Sequence, residues 1–293
     1  MSIRKVLRKR ILAYLQIMRF HRPIGGWLLL WPTFWALWAA AQPNAAIRVW
    51  PDTRVLVIFT LGVWIMRAAG CVVNDLADHR FDGSVARTQN RPLVIGSLTR
   101  IEALGLLALL SLLALSLVLQ LNVLTLKLAW VGLALTTTYP FMKRWIHWPQ
   151  LVLGLAFAWS VPMAYAAQTG HVPPIAWLLF VAAALWPLGY DTIYALMDAQ
   201  DDQKLCLKST ALWCGDRVAW FIGSVYASML CLLSIVGFQL ERHAIYYIAL
   251  LAAAGLMAYQ LYWISHRANA LYLRAFMNNH GVGAVIFLGF LLS

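Results

Sequence analysis

Runs of about 20 apolar residues follow one another from residue 23 to residue 292, and they limit the fold more than any single motif. Inside a bilayer a backbone must satisfy its own hydrogen bonds, so each such run is expected to be a transmembrane helix. The expected spans are 23–41, 54–73, 101–119, 123–139, 149–167, 175–190, 218–240 and 244–264, with a short ninth run at 282–292. The ninth is long enough only if flanking residues join its helix. Charged residues make up 12% of the chain and the mean hydropathy is +0.71, far from a soluble composition. The expected fold class is therefore all-α: a polytopic membrane protein of about nine transmembrane helices. Residues 1–293 read as one integral membrane domain, with no stretch left for a separate soluble one.

The net charge of +12 does not call for a nucleic-acid partner, because the basic residues lie in short loops between spans. With the N-terminus inside, 18 of 23 Lys and Arg residues fall on the cytoplasmic side, against Arg48, Arg54, Lys127 and Arg242 opposite and Arg67 within a span. The positive-inside rule then orients the chain. Residues 1–20 carry Arg4, Lys5, Arg8, Lys9 and Arg10, with Ile3, Leu7, Ile11, Tyr14, Leu15 and Met18 at helical spacing. They read as a basic amphipathic helix on an anionic membrane surface. The basic segment is too long, and the Trp-rich run after it long enough to span, for a cleaved signal peptide. Cys71, Cys206, Cys214 and Cys231 show no pairing or metal-ligand spacing and read as small apolar fillers.

Seven of the 11 carboxylates sit in two short segments at span ends on that cytoplasmic side: Asp75, Asp78 and Asp82, and Asp191, Asp198, Asp201 and Asp202. Acids at a membrane edge are costly and point to function. Asn74, Asp78 and Asp82 are spaced i, i+4, i+8, so on a continuous helix they stack on one face over about 12 Å. Asp198 and Asp202 repeat the i, i+4 spacing, and Asp191 and Tyr194 precede Asp198 by seven and four. Two opposed ladders of oxygen ligands suit Mg²⁺, which favours carboxylates, waters and phosphate oxygens. The nearby basic residues Arg67, Arg87, Arg91, Lys143, Arg144, Lys204 and Lys208 suit a diphosphate. A diphosphate at the membrane edge with its tail in lipid is an isoprenoid diphosphate. One such spacing alone is usually a solvated face. Asp216 reads as a cap of the seventh span, and Tyr139, Tyr190 and Tyr194 equally as interfacial anchors.

The second and sixth spans each end in an acidic cluster and a basic loop, which suggests two pseudo-repeated four-helix halves around a central cavity. Internal repeats and intramembrane acids also occur in ion-coupled transporters. Their acids usually lie mid-span, whereas these lie at span ends.

The same residues carry a resemblance. The run from Arg67 through Asn74, Asp78, Phe81 and Asp82 to Gly83 is similar to the first motif of the UbiA superfamily of intramembrane prenyltransferases. Pro23-Ile24-Gly25, Asn90-Arg91-Pro92-Leu93, the segments 139–144 and 190–195, Lys208-Ser209-Thr210 and the segment 276–279 match as well. One departure is Ala199-Gln200 after Asp198, where relatives often have Asp-Arg followed by acids; the Asp198/Asp202 spacing survives. The resemblance implies nine helices with a cytoplasmic cap, in a bacterial inner membrane. It implies Mg²⁺-dependent transfer of a polyprenyl group from polyprenyl diphosphate to the carbon ortho to the hydroxyl of 4-hydroxybenzoate, giving an early ubiquinone precursor. Haem, homogentisate and naphthoate are the alternative acceptors. Asn74, Asp78, Asp82, Asp191, Asp198 and Asp202 are then the expected metal ligands. Arg144 is the first candidate for a diphosphate or benzoate contact, with Arg22, Arg67, Arg91, Lys143, Tyr194, Lys204 and Lys208 beside it. No obligatory protein partner is expected.

Overall fold

The computed structural model describes residues 3–43, 46, 49–80, 82–85 and 87–293, with side chains from residue 7 onward. The side chains of Ile3, Arg4 and Lys5, and residues Arg48 and Phe81, lie outside the described residues. The described residues form helices only. They are α1 (Ile3–Ile17), α2 (Ile24–Ala41), α3 (Thr53–Asp78), α4 (Arg100–Val118), α5 (Val123–Thr138), α6 (Pro149–Ala158), α7 (Ser160–Thr169), α8 (Pro174–Lys204), α9 (Thr210–Cys214), α10 (Val218–Gln239), α11 (Ala244–Ser265) and α12 (Asn269–Leu292). Short 3-10 turns cover Asp82–Ser84, Tyr139–Arg144 and Gly215–Arg217.

Eight segments among the described residues are long and apolar enough to cross a bilayer, α6 and α7 forming one of them. The protein is a multi-pass membrane protein. The ninth apolar helix, α5, has only 16 residues, because Pro140 cannot donate the next helical hydrogen bond and the chain tightens into the 3-10 turn. The short run at 282–292 is the end of a 24-residue helix that starts at Asn269. Local chemistry sets several other ends. Asp52 caps α3 by accepting from the Val55 N–H at 2.9 Å. Thr99 and Glu102 form a capping box at the start of α4, and Asn122 caps α5. Asp216 does not cap the seventh span: it lies in a 3-10 turn and pairs with Arg267 at 2.7 Å.

Two more helices, besides α12, outrun their expected spans. α3 continues past residue 73 to Asp78, and α8 continues past residue 190 to Lys204. The extension of α3 carries Asn74, Asp75 and Asp78, and that of α8 carries Asp191, Asp198, Asp201 and Asp202, each as a further stretch of the same helix. α2 packs against α7, α12 and α3, so it stands between the α3–α7 group and the α8–α12 group. The second group is tied by polar side chains at its centre. Trp186 Nε1 donates to Asn279 Oδ1 at 2.9 Å, and Asn279 Nδ2 donates to Gln260 Oε1 at 3.3 Å. Tyr226 donates to the same Gln260 oxygen at 2.8 Å, and Gln260 Nε2 donates to Asn278 at 2.9 Å. Four helices thereby satisfy polar groups that would be costly in an apolar layer. The motif residues Asn278 and Asn279 thus belong to this network.

α1 is helical, as its spacing predicts, and Ala13 and Ile17 pack onto α3 and α4. Arg10 and Tyr14 bond to Glu102 of α4. Leu7, Ile11 and Leu15 are left uncovered by protein. α4 and α5 have few buried residues, only Ala103 and Leu110 in α4 and Thr125 in α5. Their outer faces meet lipid.

α6 and α8 cross at Gly154, where a Cβ would stand 2.2 Å from the Ala184 carbonyl oxygen. Small residues let membrane helices approach this closely. Gly154→Ala is expected to cost about 1–3 kcal/mol by forcing the helices apart, read as a lower melting temperature of the purified protein in detergent. Gly105→Ala, where nothing lies within 4 Å of the added Cβ, should leave that temperature unchanged.

Candidate active site

The extended ends of α3 and α8 face one cavity of about 1650 Å³. Asn74, Asp75 and Asp78 line it from α3, and Asp191, Tyr194, Asp198 and Asp202 from α8. The helical spacings predicted for Asn74/Asp78 and for Asp191, Tyr194, Asp198 and Asp202 hold, because both helices stay unbroken through them. Asp82 departs from the predicted ladder. α3 ends at Asp78, and Asp82 sits in the following 3-10 turn, buried and bonded to Arg91 at 2.6 Å. Burial raises the Asp82 carboxyl above its ordinary range, against the pull of that guanidinium. Away from the acids, α4 and α5 supply an apolar wall with Leu107, Leu115, Leu126, Trp130 and Leu133.

Basic side chains meet these acids from three separate parts of the chain. Lys143 Nζ lies 2.6 Å from Asp78 Oδ2. Arg87 grips Asp198 with two prongs, Nε to Oδ1 at 2.9 Å and Nη2 to Oδ2 at 2.5 Å, and its guanidinium lies 4.9 Å above the Tyr194 ring. Burial works against the Arg87 charge, but the bonds and charge of Asp198 outweigh it and raise its proton affinity. Asp75, 1% exposed, is held by Arg19 at 2.7 Å and Arg91 at 3.1 Å. No ion pair engages Asp191 or Asp202 among the described residues.

The other expected residues fall into two groups. Arg22, Arg67, Arg91, Lys143, Tyr194 and Lys208 line the cavity. Arg67 fits beside Gly25, where a Cβ would come within 2.2 Å of its Nε; this accounts for the glycine in the Pro23-Ile24-Gly25 motif. Lys208 donates to the Trp145 carbonyl at 2.9 Å. Arg144, Lys204 and Asp82 are not among the lining residues. Arg144 donates to the Ala77 carbonyl at 2.6 Å and stands 3.9 Å from Asp78, so it braces the end of α3. Lys204 is largely exposed and lies 3.5 Å from Asp201. Arg19 was not anticipated. It belongs to a segment read as surface helix, but a left-handed turn at Arg19 (φ 59°) folds it back onto Asp75. No spacing rule connects residues so far apart.

No group of three or more acid, His or Cys side chains stands close enough to hold a metal ion among the described residues. The donors turned toward the cavity are nevertheless hard oxygens from two helices, and Asp78 Oδ1 is buried with no hydrogen-bond partner. That set fits Mg²⁺ better than a soft metal.

The model of the UbiA prenyltransferase family matches residues 29–280. The 4-hydroxybenzoate octaprenyltransferase of Coxiella burnetii (strain CbuK_Q154) is 50% identical over 287 residues, covering 98% of both chains. The enzyme of that name from Photobacterium profundum is 51% identical over 281 residues, covering 96% of both. Among solved structures, an apo UbiA homolog from Aeropyrum pernix K1 superposes with a TM-score of 0.79 at 24% identity, covering 91% of this chain and 97% of that one. A UbiA homolog from Archaeoglobus fulgidus bound to GPP and Mg²⁺ has a TM-score of 0.69 at 21% identity, covering 94% of this chain and 99% of that one. With its family model spanning most of its length and its relatives matching end to end, the chain belongs to the UbiA prenyltransferase family.

Proposed function

We propose that this protein transfers a polyprenyl group from polyprenyl diphosphate to the ring carbon ortho to the hydroxyl of 4-hydroxybenzoate, releasing diphosphate. The observation that carries the reading is a single cavity with carboxylates and cations from two helix ends on one side and an apolar wall on the other. Such a space suits a diphosphate headgroup with a long hydrocarbon tail. The names of the half-identical relatives support the acceptor.

Asn74, Asp78 and Asp82 on one side, and Asp191, Asp198 and Asp202 on the other, are the proposed Mg²⁺ ligands. When bound, Mg²⁺ neutralises charge that develops on the leaving diphosphate. Arg22, Arg67, Arg91, Lys143 and Lys208 line the same cavity and supply the cationic contacts for diphosphate or benzoate. Arg144 steadies the end of α3 beside Asp78 by donating to the Ala77 carbonyl. Lys204, exposed at the end of α8 beside Asp201, adds to the positive field. As the allylic carbon–oxygen bond breaks, its electron pair leaves on the diphosphate, and preorganised cations favour that charge distribution. The ring carbon then forms the carbon–carbon bond, and loss of the ring proton restores aromaticity. The apolar wall keeps water from the allylic cation. The site faces the cytoplasm of a bacterial inner membrane on this reading, following the Lys and Arg distribution.

Turnover of radiolabelled 4-hydroxybenzoate with a polyprenyl diphosphate should stop on chelation with EDTA and return with Mg²⁺. Full activity in metal-free buffer would remove the metal from the proposal. Asp78→Ala and Asp202→Ala should each abolish nearly all turnover in protein that still inserts and purifies. Because they act on one diphosphate, the double variant should lose little more than either single one. Wild-type turnover in either would release its helix from the site. A cysteine placed at Gly83, in a background without the four native ones, should react with a membrane-impermeant thiol reagent only after cells are opened. Labelling of intact cells would invert the topology.

A further inference from the structure

Asp78 and Asp198, two of the carboxylates that face the cavity, are held by cations, while Asp78 Oδ1, Asp191 and Asp202 make no ion pair or hydrogen bond with a basic side chain closer than 3.9 Å among the described residues. Lys143 sits on Asp78 Oδ2, and Arg87 covers both oxygens of Asp198. A divalent cation and these side chains compete for the same lone pairs. Lys143 acts on Asp82 and Asp202 as well, so its charge is felt across both clusters. Arg87 and Lys143 themselves line the cavity, so an anion there can reach them.

We propose that Arg87 and Lys143 are exchange ligands. Each holds a metal-facing carboxylate until a divalent cation takes that carboxylate, and each then passes to the diphosphate. The proposal rests on the reading of the site as a metal–diphosphate site. The charges give the reason. A divalent cation arriving alone must displace a guanidinium or ammonium and leave it beside another positive charge. A diphosphate arriving alone draws the basic side chains away and leaves Asp78 and Asp198 facing an anion. Arriving together, the two ligands give every charge an opposite neighbour. Metal and diphosphate therefore bind strongly only as a pair, a coupling that is reciprocal by thermodynamic necessity.

The two-pronged grip makes Arg87 the sharper case. It reaches from the loop after α3 to α8, so it also ties the two acidic helices together. If it were only a tie, its removal would loosen the site and weaken metal binding. As an exchange ligand, its removal frees Asp198 and strengthens metal binding while weakening diphosphate binding. The two roles predict opposite signs for the metal.

The test uses the purified full-length protein in detergent, with Mn²⁺ as the metal probe and inorganic diphosphate as the anion. Bound Mn²⁺ is read by electron paramagnetic resonance and diphosphate by calorimetry, both corrected for the Mn²⁺–diphosphate complex in solution. In the wild type, diphosphate should tighten Mn²⁺ by a factor within about 5–150, the usual range of coupling between sites. Arg87→Gln should bind Mn²⁺ alone about tenfold more tightly, and diphosphate at saturating Mn²⁺ about tenfold more weakly, the loss expected for a charge-assisted contact. Lys143→Gln should shift both in the same directions. Arg87→Lys, which keeps the charge without the fork, should shift both less, and it serves if Arg87→Gln does not purify. Unchanged or weaker Mn²⁺ binding in the Arg87 variants overturns the exchange and leaves a structural tie. If the wild type takes up no Mn²⁺ even with diphosphate, the metal–diphosphate reading itself falls.

Discussion

A carboxylate at the end of a membrane span needs a cation, because burial without one forces it to give up its charge or its place. Here the cations come from elsewhere in the chain, and that requirement shapes the acidic end of the molecule. Arg19 from the turn after α1, Arg87 and Arg91 from the loop after α3, and Lys143 from the 3-10 turn after α5 all converge on acids of α3 and α8. Each pair fixes a loop. The loops beside the cavity are thus pinned by the same charges that are suited to bind a diphosphate, so loop geometry and ligand affinity cannot vary independently.

Within the membrane the constraint is different. Lipid tails are as apolar as leucine side chains, so burial of apolar surface does not by itself hold the helices together. Close packing and polar side chains take over. Gly154 brings α6 against the backbone of α8, and Gln260 serves three polar partners on α10 and α12. The same network anchors α8 through Trp186, one helix turn from Tyr190 at the cavity wall. Among the described residues the α4–α5 side has no comparable network, and it is the side that gives the cavity its apolar wall.

Much of the protein was legible in its sequence for reasons that are local. Hydrophobic run length predicts spans because a bilayer has a fixed thickness. The i, i+4 spacings of Asn74 with Asp78 and of Asp198 with Asp202 predict shared helix faces because the helix has a fixed pitch. Oxygen donors beside basic residues imply a hard cation and a phosphate. One place where reading fell short is also local: Asp82 leaves the ladder when α3 ends at Asp78.

The sequence by itself therefore determined the membrane class, the family resemblance, the two acidic helix ends and the chemistry they suit. Tertiary structure alone decided which cation meets which acid. Arg19 with Asp75, Arg87 with Asp198 and Lys143 with Asp78 join residues remote in the chain, and no periodicity encodes such pairs. It also decided that Arg144 turns to the Ala77 carbonyl and that Asn279 joins Trp186. The physical reason is that pairing depends on distance in space. Loops and helix crossings set that distance, and both follow from the packing of the whole chain.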